Sequence, residues 1–246
     1  MKQYQNEWEW SKIVYFFETN SSGKLRLNLL SSYLQEIAWM HAEHLGFSAG
    51  EMADEKRFWA LTRMMIQVEQ MPQWKDHLKI KTWPREPSGI FANRDFTFTL
   101  EQADIVRATS SWVILNAENR RPILPDFSHL GNDFFKTKTA ISDGIPKIHF
   151  PESKPIQEIE ITPNPDEIDL NCHVNNTAYM NWFGNSIIRS GGAIPTSFEL
   201  ILNFTGEVFA DDTVRCALFR HDSGYIFSVT KSDTDKIAFT GEMRVK

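Results

Sequence analysis

Asp169, Asn171 and His173 stand two residues apart in the run PDEIDLNCHVNNTAYMNWF, Pro165 to Phe183, just ahead of a helical stretch. In an extended backbone that spacing turns the three side chains to one face, so a carboxylate, an amide and an imidazole are expected to converge while Cys172 points away. Such a set suits thioester hydrolysis, which needs a positioned water or nucleophile, a base, and donors for the developing oxyanion. Asn171 offers an N–H, His173 carries a proton near neutral pH, and Asp169 orients its neighbours. The backbone N–H groups of Val174 to Asn176, at the start of the helix, are expected to polarise the carbonyl. No cofactor enters this scheme. The plainer reading of the same residues is a polar turn capping a helix, and Asn175 and Asn176 are assigned to that capping or to bracing the loop.

The elements that must position these groups repeat along the chain. From Leu25 to Leu45, apolar residues fall mostly at helical spacing and Gly46 stops the run. Strands are expected over Leu61–Val68, Leu78–Trp83, Phe91–Leu100 and Ile105–Leu115, the third with Phe96, Phe98 and Leu100 alternating with polar residues. Asn119 to Pro155 carries five prolines and no sustained period, and reads as a long connection. The order then recurs, with a strand over Ile156–Thr162, a helix from about Asn176 to Ser190, and strands near Phe198–Phe209, Val214–Phe219, Tyr225–Lys231 and Lys236–Val245. A curved antiparallel sheet around one helix leaves an edge and an apolar face that a second copy covers, so the halves are expected to join in one sheet. The repeat is architectural, without strong residue-by-residue identity.

The 246 residues are 41% apolar, ordinary for a packed globular protein, and the formal charge of −6 argues against a general nucleic-acid binder. No window approaches the roughly 20 apolar residues of a membrane span, and Met1 to Trp10 lacks the pattern of a signal peptide. Cys172 and Cys216 are too few for a disulfide framework, so a cytoplasmic protein is expected.

The run DLNCHVNNTAYMNW closely resembles the DxNxHVNNxxYxxW signature of the plant and bacterial acyl-carrier-protein thioesterases. SYLQEIAWMHAEHLGF, ALTRMMIQVEQMPQWKDHLKIKTWP and RATSSWVILNAENRRP are similar to the first half of that family, and the resemblance extends from about Tyr15 to Phe239. It implies an α+β double hot-dog fold, with a first domain over 1–128 that shapes chain-length preference, a linker over 129–155, and a catalytic domain over 156–246. It also implies hydrolysis of fatty acyl thioesters on acyl carrier protein. In LNFTGEVFADDTV it makes Glu207 the carboxylate that joins Asp169, Asn171 and His173. Many plant members place a cysteine directly after this glutamate; Val208 stands here and cannot form an acyl-enzyme, so base-assisted attack by water is favoured. SSGKLRLNLL, ahead of the first helix, holds no counterpart of the DxNxH motif, which gives one active site per chain.

Other residues are read more plainly. Cys172 diverges from His173 in an extended segment and is structural, and Cys216 is core. His41 and His44 lack the HExxH arrangement and a third ligand, so no metal is expected. Met64, Met65 and Met71, with Trp39, Phe58, Trp59 and Trp74, are core or in part the lining of an acyl tunnel. An acidic carrier calls for basic residues, and Arg120, Arg121, Lys136, Lys138, Lys147 and Arg189 are candidates with none assigned. The competing functions are an acyl-CoA thioesterase, a hot-dog hydroxyacyl dehydratase and a silent acyl-binding module, and a homodimer is open.

Overall fold

A computed structural model describes residues 4–131, 133–142, 144–222 and 224–246; Met1, at which the first domain boundary is set, lies outside them. In chain order the elements are β1 (Trp8–Ile13), α1 (Leu27–His44), α2 (Ala49–Asp54), β2 (Arg57–Val68), β3 (His77–Pro84), β4 (Ala92–Leu100), β5 (Ala103–Asn116) and β6 (Pro122–Ile123). They continue with β7 (Gln157–Ile161), α3 (Asn176–Arg189), β8 (Phe198–Phe204), β9 (Val214–His221), β10 (Gly224–Lys231) and β11 (Ile237–Val245). Ten strands form one path, β1-β3-β4-β5-β2-β8-β11-β10-β9-β7, with β6 added to β5. The first half runs 1-3-4-5-2 and the second 7-9-10-11-8, so the two are the same sheet laid edge to edge. The seam is β2 against β8, antiparallel from Arg63 opposite Asn203 to Val68 opposite Phe198. The single sheet expected from an unsatisfied edge is therefore present.

α1 and α3 pack on the concave side and on each other. Leu30, Leu34 and Ile37 of α1 and Phe183 and Ile187 of α3 are fully buried against Ile66, Phe98, Leu200 and Phe227 of the sheet. β11 passes close beneath α3 at Gly241, where a Cβ would lie 3.1 Å from the Phe183 ring.

Three elements escaped the periodicity, among them the two-residue β6, which falls inside the stretch read as a connection. β1 alternates half-buried and exposed residues at the sheet edge, and its aromatic, charged sequence WEWSKI hides the period. α2 is six residues long, announced by a capping box between Ser48 and Glu51. The connection after β6 is aperiodic, as expected, yet it is tied down. Ile141 is buried against Met65 and Ile201 on the convex face, Arg63 donates to the carbonyls of Ile145 and Pro146, and the Trp83 indole donates to Lys138 O at 2.9 Å.

Candidate active site

The candidate motif at residues 169–173 does not lie in an extended segment. Asp169 N–H donates to His173 O at 3.0 Å, Cys172 N–H to Asp169 O at 3.0 Å, and Ile168 bridges Val174, so residues 169–173 close a tight turn. Asp169 Oδ1 accepts the Asn171 N–H at 2.8 Å, an aspartate turn that competes with extended backbone. Cys172 takes φ +63° and is exposed. The expectation of three side chains on one strand face is thereby corrected, and so is the divergence argument for Cys172, which is an exposed turn residue. Cys216 is core, 1% exposed, and burial pushes its thiol up to about 12.

The turn nevertheless brings charge together. His173 Nδ1 lies 3.9 Å from Asp169 Oδ1, and Nε2 lies 3.6 Å from Glu207 Oε1, from the loop after β8. Both separations exceed a hydrogen bond, and Nε2 is buried without a partner. Asn171 sits in the same turn, exposed. Of the three backbone donors expected at the helix start, two are committed: Val174 N–H to Val208 O at 2.8 Å and Asn175 N–H to Glu167 O at 2.8 Å. Asn175 is the N-cap of α3, its Oδ1 accepting the Thr177 N–H at 2.9 Å. The Asn176 N–H has no acceptor among the described residues. Val208 is fully buried.

The first half supplies two further side chains. Arg120, at φ +57° in the β5–β6 turn, donates from Nη1 to Glu207 Oε1 at 3.0 Å and lies 4.9 Å over the Phe58 ring. Phe58 in turn stands 6.3 Å from the His173 ring. Sequence reasoning placed Arg120 among the carrier-docking cations, and no local signal marks its partner 87 residues on. Of the other carrier candidates, Lys136 pairs with Glu7 at 3.4 Å and Lys138 lies 4.5 Å over the Trp83 ring.

Beside Phe58, Trp59 forms one wall of an apolar cavity with about 590 Å³ of empty space including its open side. Trp39 and Ala42 of α1, Trp112 of β5, and Phe127 and Phe135 of the connection are also part of the lining; neither His173 nor Glu207 reaches it. Met64 and Met71 are core, Met65 faces the convex side, and Trp74 is exposed. His41 is fully buried, Nε2–H donating to Gln5 O at 2.9 Å and Nδ1 accepting from Arg94 at 3.0 Å. His44 Nε2 accepts the Gln5 N–H.

The first half contains a backbone copy of the 169–173 turn. Thr19 bridges Leu25 as Ile168 bridges Val174. Asn20 Oδ1 accepts the Ser22 N–H, Gly23 takes φ +74°, and Arg26 N–H donates to Glu18 O, matching Asp169, Cys172 and the Asn175–Glu167 bond. Leu25 N–H donates to Pro72 O as Val174 N–H does to Val208 O, so Met71 occupies the place of Glu207. Asn20, Ser22, Lys24 and Met71 replace Asp169, Asn171, His173 and Glu207, which removes the imidazole and both carboxylates.

Comparison with known proteins bears on the family and the fold. Residues 2–128 match the family described as acyl-ACP thioesterase N-terminal domain, and residues 152–242 its C-terminal domain. The chloroplastic oleoyl-acyl carrier protein thioesterase of Coriandrum sativum is 27% identical over 224 residues, covering 82% of this chain and 59% of the relative. Its counterpart 1 of Arabidopsis thaliana is 27% identical over 227 residues, covering 82% and 60%. The chain thus spans about three fifths of the length of these relatives. Among solved structures, the 12:0-ACP thioesterase from Umbellularia californica superposes with a TM-score of 0.84 at 20% identity, covering 98% of this chain and 97% of that one. An acyl-ACP thioesterase from Bacteroides thetaiotaomicron gives 0.80 at 18%, covering 97% of each. These likenesses show the fold, a double hot-dog. With both domain families matched in order along one chain, this protein belongs to the acyl-ACP thioesterase family.

Proposed function

We propose that this chain hydrolyses the thioester of fatty acyl chains on acyl carrier protein, releasing free fatty acid and the carrier thiol. The observation that supports this best is the line Asp169–His173–Glu207, in which the unpartnered Nε2 of His173 faces a carboxylate held from across the two halves. In this reading a water bound to Glu207 Oε1 and His173 Nε2 gives its proton to Glu207 as its oxygen bonds to the thioester carbon. The Asn171 side chain and the Asn176 N–H receive the oxyanion. When the tetrahedral intermediate collapses, the C–S bond breaks and the proton passes through His173 to the departing sulfur. Asp169 orients the imidazole. Val208 leaves no nucleophile beside Glu207, which fits direct attack by water.

Residues 1–128, with closure from the connection at 129–155, hold the acyl chain in the cavity walled by Trp59 and Trp112, and residues 156–246 carry the reacting groups. The carrier is the macromolecular partner, and the cytoplasm is the proposed location; no helix among the described residues is long and apolar enough to cross a membrane.

Thiol release from acyl chains of graded length, each offered on carrier protein and on coenzyme A, tests the reading. Glu207→Gln and His173→Ala are each expected to lower turnover by about a hundredfold or more. Equal or better release from coenzyme A moves the assignment to the acyl-CoA enzymes, and full activity in either variant removes that residue from the mechanism.

A further inference from the structure

The loops that correspond to the catalytic turn in the first half carry a surface that the mechanism does not use. Phe16 and Phe17 are 72% and 71% exposed, and Tyr15 and Trp74 are about half exposed beside them. The four rings form two pairs joined by the Phe16–Phe17 peptide: Tyr15 stacks on Phe17 at 5.8 Å, and Phe16 meets Trp74 edge-on at 5.4 Å. Trp74 N–H donates to Gly23 O, which ties the two loops together. Three cations rim the patch. Lys75 lies 4.4 Å over the Trp74 ring, Arg26 donates to Phe17 O at 2.7 Å, and the Lys24 backbone pairs with that of Gln73, next to Trp74. None of the three has a carboxylate within ion-pair distance among the described residues, whereas Glu18 is already paired with Lys12.

The second half is an internal control. Its loops follow the same backbone, with Tyr15 and Asn164 both opening a capping box closed by Glu18 and Glu167. At the positions of Tyr15, Phe16, Phe17 and Trp74 it carries Asn164, Pro165, Asp166 and Ala210; at those of Lys24, Arg26 and Lys75 it carries His173, Asn175 and Asp211. The fold therefore requires neither the exposed rings nor the cations. Leaving contiguous apolar surface in water marks an interaction site.

Three occupants are conceivable, and the geometry separates them. The substrate carrier must reach the site near the cavity, which is lined by Ala38, Ala42 and Leu45 toward the far end of α1. The patch precedes the first turn of α1, whose 18 residues span about 27 Å. A second copy joined about a two-fold axis would set Lys24, Arg26 and Lys75 against themselves. Protruding phenylalanines, a tryptophan and unpaired lysine and arginine side chains are instead the composition of a membrane-surface contact, rings entering the headgroup boundary and cations meeting phosphates. On a protein of net charge −6 this local positive rim also fixes which face approaches. We propose that this patch docks the protein reversibly on an anionic lipid bilayer.

Flotation of the full chain with vesicles of phosphatidylcholine alone, or with about a third phosphatidylglycerol, tests this. Wild type is expected to float with the anionic vesicles and to be released by high salt. Phe16→Ser/Phe17→Ser and, separately, Lys24→Glu/Lys75→Glu are expected to bind at least about tenfold more weakly. Phe16, Phe17 and Lys75 are exposed and Lys24 is half-buried without an ion-pair partner among the described residues, so both variants should melt at the wild-type temperature and keep thioesterase turnover in lipid-free solution. Absence of wild-type binding to anionic vesicles, or unchanged binding by the phenylalanine variant, overturns the proposal. So does a solution dimer that the phenylalanine variant dissolves, which would assign the patch to a second copy. A lipid-free loss of turnover restricted to carrier substrates would assign it to the carrier and likewise overturn a lipid role.

Discussion

Arg120 holds Glu207 from the opposite half of the chain, at 3.0 Å, while His173 faces the same oxygen at 3.6 Å. A carboxylate with two cation-capable neighbours is fixed in direction as well as in charge, and orientation alone is worth orders of magnitude in rate. In the proposed mechanism Arg120 acts through Glu207, as a positioning residue. Arg120→Ala is expected to lower kcat about tenfold with little change in KM, and Arg120→Lys to recover part of it, as steady-state thiol release would show; an unchanged kcat would leave Arg120 a surface ion pair. Cys172 offers the complementary case. It pays for a left-handed φ of +63° at a position where the first half has Gly23 at +74°. Cys172→Gly should therefore retain turnover and gain about 0.5–1 kcal/mol, read by denaturant unfolding. The candidate site residues stand out by their types and spacing, but the turn that holds them does not. Alternation at 169, 171 and 173 looks like a strand until the Asp169 carboxylate is seen to accept the Asn171 N–H and fold the segment back.

At the scale of elements, α1 is anchored by a buried polar group. Burial, followed by the Arg94 guanidinium, pushes the His41 pKa down to about 3 from an ordinary value near 6.5, so His41 is neutral in the fold. A group with a depressed folded pKa contributes fully above its unfolded value. Its contribution drains as pH falls from 6.5 toward 3, by up to about 1.4 kcal/mol per pH unit. Wild type should lose stability through that window, and His41→Gln should be less stable at pH 7 yet show a flatter profile, followed by thermal melting at stepped pH. An unaltered slope in the variant would mean that His41 does not govern acid sensitivity. The long helices and central strands were readable because each buries one face with a regular period. α2 and β1 were not, being respectively too short and too mixed for any window.

The whole molecule joins the halves through β2 and β8 and through the Arg120–Glu207 pair. Residues 152–246 produced alone would expose the β8 edge from Phe198 to Asn203 and would lack Arg120, Phe58 and the cavity. That fragment is expected to self-associate on gel filtration and to show no thiol release above background. A monomeric, active fragment would mean that the first half is dispensable to the chemistry.

The sequence by itself determined the helical and strand periods, the recurrence of one architecture and the residue types of the motif, because these are carried by local spacing. Tertiary structure alone decided what those residues meet. The bend that sets His173 against Glu207, the reach of Arg120 across the sheet, the burial of His41 on Arg94, and the closure of the cavity by Phe127 and Phe135 all join residues far apart in the chain. The copied turn of the first half belongs with them: Asn20 and Asp169 share a backbone hydrogen-bond pattern but little sequence around them, and a hydrogen-bond pattern leaves no periodic trace in side-chain order.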